Sequence, residues 1–454
     1  VLEELEAGLR EFNALGAAGI VMDVSTGEVL AMVSLPDYDA NDFGQADKDA
    51  RFNRALTGMY EPGSTFKLQT AAMALDYGTA HLWDWFDAIH PIHIGRFTIT
   101  DFEGKHRMLA LPEVLAYSSN LGAAHIAEGV GAERQRAWLR NMGMFARVGI
   151  ELPEAGRPLV PPQANWKEAA TLTIGFGHGI AVSPLHVVRG TATLANGGIL
   201  HNPTILALPP GQKAPEGMRV VSQQTSDTIR KLMRLVVTDG YGKPAEVAGY
   251  FVGGKTGTAE KVGNHGYRKH ANVAAFMSVY PMNAPRYAVY MMLDEPHATA
   301  KTHGYATAAW TAAPIVGRVI ARTAPMLGLF PQTENAAAIQ ASLAIPLEPG
   351  RPPGAPASPN APRPAVRPGT PMAANPPRPE TAPRLSETRA GEARPGAAAA
   401  AEARAAEKRP IVPLGAPALP ATLLPAAPAL RPPLRQETAL PQHVAAIEAA
   451  DAAR

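Results

Sequence analysis

The order of elements along this chain predicts an α+β fold: an antiparallel sheet packed by helices, with a helical subdomain beside it. Two apolar runs suited to strands lie near the start, helical patterns occupy roughly residues 60 to 245, and three more strand patterns and a helix follow. Every Phe, Trp and Tyr precedes Pro331, so the bulk needed for a core is confined to that part of the chain.

The first element is a helix. "VLEELEAGLREFNAL" carries Leu2, Leu5, Leu9 and Phe12 on one stripe. In "AAGIVMDVSTGEVLAMVSL" two apolar runs flank Ser25-Thr26-Gly27-Glu28, a hairpin signal with Gly27 at the turn. Helical patterns follow in "STFKLQTAAMALDYG", "LPEVLAYSSNLGAAHIAEGVG", "ERQRAWLRNMGMF" and "PLHVVRGTATLANGG". Strand character returns in "GYFVGGKTGTAEK", "NVAAFMSVYP" and "RYAVYMMLDEP", the first two separated by the polar "VGNHGYRKHA", which reads as a loop. "ATAAWTAAPIVGRVIARTAPML" reads as the closing helix. More than half of the 44 prolines lie beyond Phe330. Composition therefore predicts a folded domain over residues 1–330 and a Pro/Ala-rich, disordered tail over 331–454 that buries too little apolar surface to offset its ordering entropy.

Formal net charge is +2, and no basic stripe interleaved with aromatics occurs in the domain, which argues against nucleic acid as a partner. There is no cysteine, so disulfides and thiolate chemistry are ruled out, a composition suited to an oxidising compartment. No apolar run has the length of a membrane span and no signal peptide opens the chain. The first residue is Val rather than Met, which reads as a processed or partial product.

Three short stretches carry chemistry. In "YEPGSTFKLQT" Pro62 and Gly63 break the preceding structure and set Ser64 near a helix start, with Lys67 three residues on and on the same side. Unpaired N–H groups and the helix dipole there would favour a hydroxyl that must become an alkoxide. Alone, the pattern is better explained by an N-cap serine and a solvated lysine. In "AYSSNLG", Ser118 and Asn120 flank one residue in a helical stretch, and a kink or cap explains them as well. In "GGKTGTA" a lysine and two threonines sit in a glycine-weakened strand. Glycine there suits close approach of another backbone, and Lys255, Thr256 and Thr258 could meet an anion or a peptide carboxylate along that edge. An edge strand with a solvated lysine is the plain alternative. Ser-x-x-Lys and Lys-Thr-Gly each occur once, and Ser-x-x-Lys, Ser-x-Asn and Lys-Thr-Gly appear in the order of the penicillin-binding protein and serine β-lactamase signature.

On these motifs residues 17–328 resemble the transpeptidase domain of a class B penicillin-binding protein, with flanking stretches such as "GFGHGIAVSPLH" and "DEPHATAKTHGYATAAWTAAPIVGRV" similar to the septal, division-specific enzymes. The resemblance implies a D,D-transpeptidase that crosslinks peptidoglycan stem peptides and is acylated by β-lactams. It implies Ser64 as nucleophile and Lys67 as its base, with a pKa lowered by a second cation and a dry site. Ser118 would relay a proton to the departing D-Ala, and Asn120 would hold Lys67 and the substrate amide. Lys255 (kept charged), Thr256, Gly257 and Thr258 would form the carboxylate-binding strand, with Ser64 and Thr258 N–H groups as oxyanion hole. No cofactor or metal is called for. Implied partners are a division glycosyltransferase and other divisome proteins. The implied place is the periplasmic face of the inner membrane, with a single-span anchor and a further domain preceding Val1. The second motif reads Ser-Ser-Asn rather than the Ser-Asp-Asn of many β-lactamases.

His81, His90 and His93 lie near Asp84 and Asp87, but their spacing matches no standard metal pattern. His178 reads as a loop histidine near the cleft, and Glu151 and Glu154 as part of a surface turn rather than a base for water. Two rival functions remain: a hydrolytic acyl-serine enzyme (D,D-carboxypeptidase or β-lactamase), and a non-catalytic β-lactam sensor or divisome scaffold.

Overall fold

The structure is a computed structural model and describes residues 1–347 apart from 96, 210, 211, 213, 264 and 265. Its largest sheet has five strands: β1 (Gly16–Asp23), β2 (Val29–Leu35), β3 (Gly253–Gly263), β4 (Gly266–Tyr280) and β5 (Tyr287–Asp294). They lie in the order β2-β1-β5-β4-β3, with every neighbouring pair antiparallel. Gly27, at φ +83°, turns the first hairpin and donates its N–H to the Asp23 carbonyl at 3.0 Å.

Ten helices of the described residues matter here: α1 (Leu2–Glu11), α2 (Lys67–Asp76), α3 (Leu111–Ala116), α4 (Asn120–Val130), α5 (Ala132–Asn141), α6 (Glu168–Gly175), α7 (Pro184–Ala195), α8 (Gln223–Thr238), α9 (Ala312–Thr323) and α10 (Ala336–Leu343). β1 and β5 read as continuous apolar runs because both faces of the sheet are covered. Strand alternation divides their side chains between two cores. Ala18, Ile20 and Met22 join Tyr290 and Met292 under the helical subdomain. Ala17 and Val21 join Val289 and Leu293 under α1 and α9, where Leu5, Phe12, Ile315 and Val319 are buried. α2 is buried along its length from Lys67 to Ala74, as the central helix of the subdomain. α8 buries Ile229, Leu232, Met233 and Val236, one stripe at helical spacing, and is capped by Ser222, whose Oγ accepts the Thr225 N–H at 3.1 Å.

The order of strands and helices agrees with the expectation from sequence; three details differ. The stretch read as one helix across "LPEVLAYSSNLGAAHIAEGVG" breaks between α3 and α4, because Ser118 adopts φ +57° and Ser119 caps the new helix through the Gly122 N–H at 3.0 Å. The polar stretch read as a loop belongs in part to the ends of β3 and β4, which pair Gly263 with Gly266 and Val262 with Tyr267. The packed chain also continues past Phe330: α10 lies against α8, Arg234 Nη2 donates to Gln340 Oε1 at 3.1 Å, and Leu343, Ile345 and Leu347 are buried. Aliphatic residues suffice there because α8 supplies the apolar face, so the missing aromatics misplace the boundary. The disorder expected over residues 348–454 lies outside the described residues.

Fully burying side chains of this size is worth about 1.5–3 kcal/mol each. A chain ending at Phe330 is therefore expected to melt about 5 °C or more below one ending at Leu347. Scanning calorimetry of the two truncations checks this, and equal melting temperatures would mean that the 331–347 segment adds nothing.

Candidate active site

Pro62 and Gly63 end the preceding segment, and a 3-10 turn over Gly63–Phe66 runs directly into α2. Ser64 stands on that turn and Lys67 opens the helix, three residues apart and on one side of it. The turn is gripped from behind by the loop 176–179. Gly63 donates its N–H to the Gly177 carbonyl at 3.1 Å, and Glu61 Oε1 accepts the Gly179 N–H at 2.7 Å. Gly177 has φ +88°, and a Cβ there would lie 2.0 Å from the Gly63 carbonyl oxygen. From the front the turn meets β3, the edge strand of the sheet. A Cβ on Gly257 would lie 2.7 Å from Thr65 Cγ2 and 3.1 Å from the Pro62 carbonyl. The glycine in this strand marks a close backbone approach, and the approaching backbone is that of the Ser64 turn.

Ser118 brings the two lysines together. Its hydroxyl lies 3.2 Å from Lys67 Nζ and 2.8 Å from Lys255 Nζ. Lys67 also donates to the Ser118 carbonyl and to Asn120 Oδ1, the latter at 2.8 Å, and Lys255 to the Thr256 carbonyl and Oγ1 at 3.2 and 3.1 Å. Both lysines are removed from water, with exposures of 1% and 0%. Burial pushes Lys67 down from the usual lysine value to about 7, with the Asp101 carboxylate acting the other way. Lys255 is pushed well below the usual value as well, first by burial and then by the charge of Lys67. The sequence reading attributes the Lys67 shift to a second cation and a dry site; burial is the first cause at both lysines, and the two groups titrate as a pair. Thr258 sits further along β3, where its Oγ1 accepts the Ala308 N–H at 3.1 Å.

Sequence reasoning did not single out Asp101 or Glu61. Asp101 receives the Ser119 hydroxyl on one oxygen at 2.7 Å and the N–H groups of Asn120 and Leu121 on the other, while Asn120 Nδ2 donates to the Thr100 carbonyl at 3.0 Å. Nothing local marks such a residue, because it lies in a loop 17 residues before Ser118. The grip of Gly177 had a signal in the glycine-rich "GFGHG". His178 is partly buried, and burial with the charge of Lys67 takes it down to about 4, so it is neutral at neutral pH.

The remaining candidates lie elsewhere. His81 pairs with Asp84 at 3.3 Å and His90 with Asp87 at 2.8 Å, while His93 meets Thr98 at 3.0 Å. Among the described residues no group of three or more His, Cys, Asp or Glu is placed to hold a metal ion. Glu151 accepts from the Thr204 hydroxyl at 2.6 Å and the Ile205 N–H at 3.0 Å, and Glu154 from Asn53 at 3.1 Å, so both tether loops. No helix among the described residues is long and apolar enough to cross a membrane.

A helix-covered antiparallel sheet whose edge strand faces a serine–lysine helix start defines the class as the penicillin-binding fold. The chain belongs to the penicillin-binding protein transpeptidase domain family, whose model matches residues 17–317. It is 43% identical over 341 residues to a Caulobacter vibrioides protein described as a probable peptidoglycan D,D-transpeptidase FtsI, covering 73% of this chain and 57% of that protein. It is 30% identical over 321 residues to peptidoglycan D,D-transpeptidase FtsI of Escherichia coli, covering 70% and 54%. The transpeptidase domain of penicillin-binding protein 3 from Burkholderia pseudomallei superposes with a TM-score of 0.65 at 30% identity, covering 73% of this chain and 94% of that one. The chain spans about half the length of the curated relatives it matches.

The grip on the serine turn is testable without chemistry. Gly177→Ala forces both a left-handed alanine and a backbone collision, whereas Gly78, at φ +64°, has open space around its missing Cβ. Gly78→Ala is expected to cost about 1 kcal/mol, the left-handed penalty alone. Gly177→Ala should cost clearly more, read as a larger fall in melting temperature, and equal falls would show that the turn and loop can separate freely.

Proposed function

We propose that this chain is the catalytic part of an acyl-serine D,D-transpeptidase that crosslinks peptidoglycan stem peptides during cell division. One observation carries the reading: a single hydroxyl, that of Ser118, lies within hydrogen-bond distance of two buried lysines beside the edge strand that faces the Ser64 turn. Such a site can move protons in the dry and offers an extended peptide a strand to pair with.

In the proposed reaction the Ser64 hydroxyl attacks the carbonyl of the donor's penultimate D-Ala and its proton passes to neutral Lys67. A charged ammonium has three N–H bonds and no lone pair, and Lys67 already faces three acceptors, so only the neutral amine can receive that proton. Ser118 then delivers a proton to the D-Ala nitrogen as the C–N bond breaks, and it is replenished from the lysine pair. The amine of an acceptor peptide attacks the Ser64 ester, and the proton returns to Ser64. Asn120 orients Lys67 and the substrate amide. Lys255, Thr256 and Thr258 hold the terminal carboxylate beside Gly257. Because Thr258 Oγ1 accepts from Ala308, its own proton is left to donate. The Ser64 and Thr258 N–H groups serve as oxyanion hole. β-Lactams would form the same ester with no acceptor to release it. The same proposal places the protein on the periplasmic face of the inner membrane, with a division glycosyltransferase and other divisome proteins as partners.

Ser64→Ala is expected to keep its fold while gaining no mass on incubation with penicillin; a variant that still gains one penicillin would move the nucleophile elsewhere. For the lysines, Lys67→Arg is expected to lose acylation almost entirely, because guanidinium does not give up its proton. Lys255→Arg keeps a charge that can meet a carboxylate and should retain much more. In the wild type the acylation rate should rise as pH increases through about 7, as Lys67 loses its proton. Stopped-flow acylation by one β-lactam across pH checks all three, and comparable rates in the two arginine variants would exclude Lys67 as the base.

A further inference from the structure

The loop leading into the serine-rich break carries a carboxylate that the proposed chemistry does not use. Asp101 lies at the N-terminus of α4 and satisfies three donors there at once: the Ser119 hydroxyl at 2.7 Å, the Leu121 N–H at 3.0 Å, and the Asn120 N–H. Two of these are orphan backbone donors of the helix start, whose dipole favours an anion. The same loop takes the other end of Asn120, since Asn120 Nδ2 donates to Thr100 at 3.0 Å while Asn120 Oδ1 accepts from Lys67 at 2.8 Å. Asn120 is thus held at its backbone and at its side-chain nitrogen by two consecutive loop residues, and its remaining oxygen faces the lysine.

The residue before this clamp is the one that needs holding. Ser118 has φ +57°, a conformation that costs a non-glycine residue roughly 1–2 kcal/mol and persists only when its surroundings fix it. On its N-terminal side it is tied by its own N–H to the Leu115 carbonyl at 3.3 Å and by the Ser119 N–H to Val114 at 3.0 Å. On its C-terminal side the ties are those to Asp101. We propose that Asp101 is a positioning residue of this site: through Ser119, Asn120 and Leu121 it fixes the break between α3 and α4 and so sets the Ser118 hydroxyl between Lys67 and Lys255. Its charge supplies a second, separable effect. Lys67 is faced by Lys255 on β3, by neutral His178 on the 176–179 loop, and by Asp101, the anion that holds its proton on.

This inference rests on the acyl-serine reading above, and the experiment separates the two. Acylation of the full chain by a chromogenic β-lactam is followed across about pH 5 to 9 for the wild type, Asp101→Asn and Asp101→Glu, with melting temperatures alongside. If the wild type is not labelled at Ser64, the acyl-serine reading fails first. With the wild type labelled, Asp101→Asn keeps an acceptor of the same shape but removes the charge. Its limiting rate is expected to fall about tenfold, and the midpoint of its pH profile to move to lower pH. Asp101→Glu restores the charge from a displaced carbon, so its midpoint should return toward that of the wild type while its limiting rate stays low. A merely structural residue would lower the labelled fraction and leave rate and midpoint of the remainder unchanged, which overturns the proposal. Wild-type rates and midpoints in both variants overturn it too. Should Asp101→Asn fail to fold, Asp101→Glu decides alone, since a wild-type limiting rate there excludes positioning.

Discussion

Two lysines that water does not reach share one serine hydroxyl, and most of the structure can be understood as what that requires. Taking an ammonium out of water costs several kcal/mol even in a relaxed protein, and like charges nearby add to it. Each Nζ is therefore ringed by oxygen acceptors supplied at fixed positions: the carbonyl and hydroxyl of Ser118 and the amide of Asn120 for Lys67, and the Thr256 carbonyl and hydroxyl for Lys255. Fixed positions need stiff supports. Lys67 comes from a helix buried on all sides, Lys255 from a strand of a sheet covered on both faces, and Ser118 from a left-handed residue clamped between two helices.

The same pair weighs against stability. A lysine that titrates near 7 when folded and in the ordinary lysine range when unfolded binds fewer protons in the folded state between those values. Its contribution to stability is complete above the ordinary lysine range and is lost as pH falls toward 7, so at neutral pH the burial of Lys67 opposes folding. The lowered affinity for a proton that would let Lys67 act as the proposed base is therefore bound to that cost. Its depth is limited by Asp101, which pulls the proton back. The site's operating pH is set first by the burial of the lysine and then by the Asp101 charge.

The residues to which the proposal assigns chemistry were legible in the sequence because they come at short, fixed spacings. Ser64 and Lys67 need one turn, Ser118 and Asn120 the start of a helix, and Lys255, Thr256 and Thr258 one strand, and each spacing is set by local backbone geometry. The alternation of two strands, helices and three strands was equally readable, since the apolar periods differ. What escaped is set by tertiary contact. Asp101 is an unremarkable loop carboxylate until the fold places it at α4. Ser118 breaks a pattern that is helical on both sides, and only its partners force φ positive. α10 has no aromatic and a weak period, and it packs because α8 presents a matching face. The downward push on Lys255 escaped for the same reason, since burial is invisible in a motif.

The position of β3 ties the site to the sheet. An edge strand leaves half of its backbone groups unpaired, and a protein ordinarily covers or blunts it. Here the strand order ends on β3, and what faces it near Gly257 is the turn that carries Ser64. With a side chain at 257 the turn would be forced away from the strand, and an ester formed on Ser64 could no longer lie along it. With glycine, in the proposed reaction, a substrate strand pairing with β3 would place its carbonyl over the serine turn and its terminus beside Lys255, Thr256 and Thr258. The hydrogen bonds that complete the sheet would then also orient the reacting bond, so that binding in register and approach to the nucleophile are the same event.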